Sequence, residues 1–366
     1  MREYHIFIGS VHFFEECARD FGKDFNELNE KVLEFDGQTK AIAPLGRRYT
    51  EASKLIVRNN HYSCLTEPAL SRLGGLLEDL TTNDATILVH NPPHALIDSL
   101  QRQGAYSQIL LDIQYEQRPA VRDVNDSERK IQEIKQTIIG QDDAISEITK
   151  SLLYLSKTKR KRPFVIMLYG GSGLGKTETA HAVAKAFFNG ELVEQHLSMF
   201  ETGAYADYFF GGSPNVRSLG FELNERASNL LFLDEMDKCP SVFRTAFYTL
   251  FDNEVYKDRT YDVDISGLLI FLTCNYESER DILKNLGEPI FYRIDKFIPY
   301  KPFSSQAIRE IMQLEIEHQV AQMDVALDKD AVLRLSAHKI LGANENGRTI
   351  KNKVREAIET VLNQSD

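Results

Sequence analysis

The residues of this chain best suited to chemistry are Gly170-Gly171-Ser172-Gly173-Leu174-Gly175-Lys176-Thr177, which follow the apolar run Phe164–Tyr169 and lead into a helix-forming stretch over 179–188. A strand, a glycine-rich loop and a helix in that order form a phosphate cradle. Glycines let several backbone N–H groups turn toward phosphate oxygens with no Cβ in the way, and the positive end of the next helix adds to the attraction. Lys176 would reach the β- and γ-phosphates as a point charge, and the Thr177 hydroxyl would hold Mg2+. Gly171, Ser172, Gly173, Leu174, Gly175 and Glu178 complete the expected contacts. The ligands expected here are ATP and Mg2+.

A second constellation lies about 60 residues on, where the apolar run Leu230-Leu231-Phe232-Leu233 ends in Asp234-Glu235. Strand alternation puts the two carboxylates on opposite sides, so they can take different work. Asp234 would complete the Mg2+ shell, and Glu235 would orient and deprotonate the attacking water. A third apolar run, 268–273, ends at Cys274-Asn275. The Asn275 amide could bond the γ-phosphate or the water; a turn asparagine is the other reading.

Elements to position these groups are legible around them. From Asn125-Asp126-Ser127-Glu128, a helix-capping sequence, to about 302, strands and helices alternate as in a doubly wound α/β domain. Residues 304 onward are helical in pattern, over 305–323, 330–341 and 349–363, with a short strand candidate at Val325-Ala326-Leu327. Upstream, 118–130 reads as a polar linker. Before it, strands over 4–9, 85–90 and 109–113 and helices over 11–33, broken near Gly22, and 94–103 predict a small α/β domain with some parallel pairing. The pair His90 and His94 around Pro92-Pro93 reads as a turn, since no carboxylate or thiol cluster completes a metal shell. The expected division is an accessory α/β domain over 1–120, a nucleotide-binding subdomain over 121–302 and a helical lid over 303–366.

Composition narrows the class. With 42% hydrophobic and 27% charged residues among 366, the chain is an ordinary folded protein. A formal charge of −11 argues against nucleic-acid binding by the surface as a whole. The basic run Lys157-Thr158-Lys159-Arg160-Lys161-Arg162 reads as a solvated connector. Cys17, Cys64, Cys239 and Cys274 are far apart, as free thiols in a reducing compartment would be. No apolar run is long enough for a membrane span and the N-terminus lacks a signal-peptide layout, so a cytoplasmic location is expected.

The pattern resembles the AAA+ ATPases, and within them the Clp-type unfoldases and disaggregases, especially the second ATPase module of two-module members. The matching segments are Ile138-Ile139-Gly140-Gln141-Asp142, the glycine-rich loop, Leu230 to Phe243, Phe271 to Ser278, Phe291-Tyr292-Arg293-Ile294-Asp295 and Gly347-Arg348-Thr349, so the resemblance covers about 126–366. It implies a P-loop core with a C-terminal helical lid, and ATP hydrolysis. Ile138 and Ile139 become adenine-side contacts, although from the residues alone they could be plain core. Asn275 becomes the first sensor and Arg348 the second. Arg293 becomes an arginine finger given to a neighbouring subunit, which implies a homo-oligomer, in this family a hexamer. The family's substrate-gripping aromatic loop should follow Gly211-Gly212-Ser213-Pro214, but the chain reads Asn215-Val216-Arg217-Ser218-Leu219-Gly220-Phe221 there, and Tyr208, Phe209 and Phe210 just upstream fit core positions. No peptidase-docking loop is evident. Two functions follow as expectations: an ATP-driven remodeller whose first domain recruits a protein target, or an ATP-dependent assembly switch that activates a partner effector, as in bacterial defence or stress response, without threading. A small-molecule kinase would not need Asn275, Arg293 and Arg348 together.

Overall fold

The computed structural model describes residues 1–39, 50–106, 108–118, 126–199, 202–212, 217–323, 328–340 and 345–365. In chain order the strands are β1 (Glu3–Ile8), β2 (Asn26–Glu27), β3 (Ala52–Val57), β4 (Thr81–His90), β5 (Leu110–Tyr115) and β6 (Phe164–Tyr169). They continue as β7 (Val193–His196), β8 (Leu230–Asp234), β9 (Val255–Lys257), β10 (Asp262–Asp264), β11 (Leu269–Cys274) and β12 (Lys296–Pro299). The chain divides into two compact units, one of 1–119, 200–229 and 242–266, the other of 120–199, 230–241 and 267–366. The expected span 121–302 therefore contributes to both.

In the first unit a sheet runs β2-β3-β4-β1-β5, with every pairing parallel. Alternation along the strands sends Tyr4, Ile6, Leu55, Val57, Ile87 and Val89 to one core and Phe7, Ile56 and Leu88 to the other. Burial of both faces is what a parallel sheet requires. The helix expected over 11–33 is instead Val11–Ala18, a 3-10 turn Arg19–Phe21, β2 and a second helix Leu28–Thr39. Gly22, at φ +93°, ends the first part. Strand β3 was not expected, because exposed Ser53 and half-buried Lys54 interrupt its apolar run. The antiparallel pair β9–β10 also belongs to this unit.

In the second unit the sheet runs β12-β6-β11-β8-β7, again wholly parallel. Counted within each sheet, the two orders are the same: fifth, first, fourth, third, second. Strands β6, β8 and β11 are buried along their whole length, hence their uninterrupted apolar sequences. The helices Ser305–Ala321, Lys329–Lys339 and Gly347–Ser365 form the C-terminal part, and Val332, Ile350, Val354 and Ile358 join the same core as Ile166 and Phe271. The strand candidate 325–327 lies outside the described residues. The fold is α/β, a parallel P-loop core with a helical C-terminal part. Among the described residues no helix is long and apolar enough to cross a membrane.

Candidate nucleotide site

The loop Gly170 to Gly175 connects β6 to the helix Lys176–Phe187 at the C-terminal edge of the second sheet. Three of its glycines hold positive φ, Gly173 at +72° among them. Gly170 has φ +135° and a Cβ there would lie 2.4 Å from the Tyr300 carbonyl oxygen; Gly175 starts the helix at φ +96°. Lys176 is buried, and its Nζ donates to the carbonyls of Gly170 and Gly171, each at 2.7 Å, and to Asn275 Oδ1 at 3.2 Å. Burial pushes its ammonium below the ordinary lysine range.

Asp234 ends β8. Its carboxylate accepts from Thr177 Oγ1 at 3.2 Å and from Thr273 Oγ1, and lies 3.3 Å from His196 Nδ1. Glu235 does not continue the strand. It sits at φ 60°, ψ 49°, an uncommon conformation for a side-chain-bearing residue, and its N–H donates to Thr273 Oγ1 at 2.9 Å. The expectation that alternation separates Asp234 and Glu235 is thereby corrected: the chain turns at Glu235 and both carboxylates line one cavity.

That cavity, about 390 Å³, is also lined by Ser172, Lys176, Thr177, Asn275 and Arg348. Arg348 is set there by its neighbour Gly347, whose N–H donates to the Gly173 carbonyl at 2.8 Å. Gly173, Gly175 and Glu178 line this cavity and also a second one of about 360 Å³, whose wall includes Ile138, Ile139, Leu174, Phe303 and His318. Gln141 ties this region together, since its Nε2 donates to the Leu174 carbonyl at 3.3 Å and to the Lys301 carbonyl at 2.9 Å. Gly171 faces a different cavity, with Tyr300 and Pro302. Arg293 is not brought to these walls. It follows the helix Glu288–Phe291, and its Nη1 donates to the Pro289 carbonyl at 2.6 Å.

Sequence reasoning missed Thr273 and His196. Thr273 is buried and joins Asp234 to the Glu235 backbone, yet a threonine ending an apolar strand reads as ordinary β-sequence. His196 ends β7, a short edge strand with no apolar run to announce it.

Comparison with known proteins fits this geometry. Residues 166–299 match the family model described as ATPase family associated with various cellular activities (AAA). The AAA+ ATPase ClpV1 of Pseudomonas aeruginosa is 28% identical over 218 residues, 50% of this chain and 24% of that protein. The chaperone protein ClpB 2 of a Nostoc species is 26% identical over 272 residues, 63% of this chain and 30% of that protein. The chain carries an AAA ATPase domain over 166–299 and is similar to Clp-type proteins. It spans about a quarter to a third of the length of these relatives. A solved S. cerevisiae Hsp104–ADP complex has the same fold at TM-score 0.57 and 13% identity, covering 99% of this chain and 88% of that one. The AAA+ match over 166–299 contains the phosphate loop, both carboxylates, Asn275 and Arg293, and leaves the first sheet outside it.

Proposed function

We propose that this AAA+ protein hydrolyses ATP as a cytoplasmic homo-oligomer, a hexamer in the family's manner, and uses the cycle to remodel a protein target recruited through its first unit. The observation that carries the reading is the convergence of Lys176, Thr177, Asp234, Glu235, Asn275 and Arg348 on one cavity. The backbone of Gly171 to Gly175 and the Lys176 ammonium hold the phosphates, Glu178 lies at their edge, and Ile138 and Ile139 flank the base. The Thr177 hydroxyl and the Asp234 carboxylate are hard oxygen donors 3.2 Å apart. That is the sparse protein contribution which suits Mg2+, an ion that keeps waters and phosphate oxygens as its other ligands. Bound there, the ion would neutralise charge on the β- and γ-phosphate oxygens. Glu235 accepts a proton from the attacking water, Asn275 orients that water or the γ-phosphate, and Arg348 contacts the phosphates from the lid. Arg293 stabilises the leaving charge in a neighbouring copy's cavity, since a planar guanidinium suits charge spread over several oxygens.

The test mixes two inactive chains, Lys176→Ala and Arg293→Ala. Recovery of hydrolysis in the mixture is expected, because some interfaces would pair an intact cavity with an intact Arg293. An inactive mixture of two proteins that co-assemble would refute the shared site.

A second reading, an assembly switch that activates a partner effector without threading, is favoured by one observation. Where the family places an exposed gripping loop, Ser218 caps the helix Leu219–Glu225, with its Oγ accepting from Phe221 N–H at 3.1 Å and with Leu219 and Leu223 buried. Ser213 to Val216 lie outside the described residues. Tyr208 and Phe209 are core, whereas Phe210 is 39% exposed. ATP-driven unfolding of a tagged fluorescent substrate would select remodelling; ATP-dependent assembly without unfolding would select the switch.

A further inference from the structure

The first unit shares the strand order of the ATPase sheet, so its strand tips can be compared with those of the second unit one by one. In such sheets ligands sit beyond the carboxyl ends of the strands, where the order reverses. In the second unit the first strand leads into Gly170 to Gly175, the third ends in Asp234-Glu235, and the fourth is followed by Asn275. In the first unit the first strand, β1, leads through only Gly9 and Ser10 into the helix Val11–Ala18. The third, β3, is followed by Arg58-Asn59, and the fourth, β4, by Asn91.

Those tips are already filled. Asn91 holds the Gly9 peptide from both sides: its Oδ1 accepts from Gly9 N–H at 2.9 Å and its Nδ2 donates to the Gly9 carbonyl at 2.8 Å. At the helix start, Ser10 N–H and Oγ–H donate to the two oxygens of Glu116, at 2.7 and 2.9 Å. A Cβ on Gly9 would lie 2.7 Å from Glu116 Cβ, so this turn has no room even for a methyl group. The amides beyond the third and fourth strands converge on one further carboxylate. Asn59 Nδ2 donates to Glu225 Oε1 at 2.6 Å, and Asn91 Nδ2 donates to the same oxygen at 3.0 Å. Asn59, His90 and Asn91 are all buried, at 4%, 2% and 0% exposure, so this is a built anion seat rather than a surface contact.

We propose that the first unit is a nucleotide-free sibling of the ATPase fold whose triphosphate seat has become an internal carboxylate-binding site, with Asn59 and Asn91 holding Glu225 and with Glu116 closing the helix start. The seat thereby fixes the helix Leu219–Glu225, which in sequence directly precedes the turn into β8. Its ligand is a carboxylate of the same chain, not a nucleotide.

Two measurements on the full chain test this. Bound ATP is counted by equilibrium dialysis with Mg2+: the unaltered chain should bind one equivalent, and a second equivalent would place a nucleotide in the first unit and overturn the proposal. Glu225→Ala should lower the unfolding midpoint by about 5 °C, the effect of losing hydrogen bonds to a charged group. Added acetate should restore part of that loss in the variant and leave the unaltered chain unchanged. Should Glu225→Ala fail to fold, Glu225→Met, which keeps the volume and leaves both asparagine amides without their acceptor oxygen, should show the same lowered midpoint. A midpoint unchanged in the soluble variant, or acetate acting equally on variant and parent, would overturn the seat. Neither readout depends on hydrolysis, so a failure here is distinguishable from a failure of the ATPase reading.

Discussion

At the edge of β6 the stretch Gly170 to Gly175 separates strand from helix, while at the matching edge of β1 only Gly9 and Ser10 do. Beyond the third strand one unit presents Asp234 and Glu235, and the other Arg58 and Asn59. Beyond the fourth, each presents an asparagine: Asn275 accepts from a lysine, whereas Asn91 clamps a glycine peptide. Strand order is thus common to both, and the tips decide the chemistry. A parallel sheet supplies a place for a ligand, and the residues in the connections determine whether a triphosphate or a side chain of the same chain occupies it.

Breaking the comparison on its catalytic side should have the largest effect. Arg293→Ala is expected to slow hydrolysis about a thousandfold or more, the loss typical of an arginine finger, with ATP binding retained. Steady-state kinetics alongside nucleotide binding would check it. Next is the loop backbone. Gly170→Ala forces a positive φ on a side-chain-bearing residue and a methyl onto the Tyr300 carbonyl, so a cost of about 3 kcal/mol is expected by denaturant unfolding.

The third effect belongs to the first unit and depends on pH. Burial pushes His90 below its ordinary value, opposed by Glu225 and Glu15 and aided by Arg58. Burial likewise lowers His61, which faces Glu27, Glu30 and Arg58. A base whose folded pKa is lowered binds more protons when unfolded, so stability should be complete above about pH 6.5 and decline as pH falls below it. Unfolding midpoints measured down to pH 5 would show this decline, and His90→Asn should reduce it. The smallest effect sharpens the contrast between glycines. At Gly75, within the helix Leu73–Leu80, an added methyl would meet no atom within 4 Å, so Gly75→Ala should stabilise by about 0.5–1 kcal/mol in the same unfolding assay.

How much of this was legible follows from sequence distance. The phosphate loop, Asp234-Glu235 and Asn275 each close an uninterrupted apolar strand, so strand and site announce each other. The C-terminal helices were legible from periodicity, and Gly347–Ser365 begins where Gly347-Arg348-Thr349 was read. The seat around Glu225 was not, because its donors come from positions 134 and 166 residues away and none sits in a motif. His90 and Asn91 read as a turn, which is true of the backbone and silent on what the side chains hold. Thr273 and His196 were hidden for the opposite reason, as ordinary strand residues whose role exists only beside Asp234. The left-handed turn at Glu235 was likewise invisible, since nothing in Leu-Asp-Glu requires it.

The most direct measurement is a single turnover of ATP by Glu235→Gln. If Glu235 takes the proton from water in the second unit's cavity, the variant should bind ATP as tightly as the parent and leave it uncleaved, with the rate lower by about 100-fold to 10,000-fold. Release of ADP and phosphate at the parent rate would remove Glu235 from the reaction and contradict the assignment of that cavity as the place of hydrolysis.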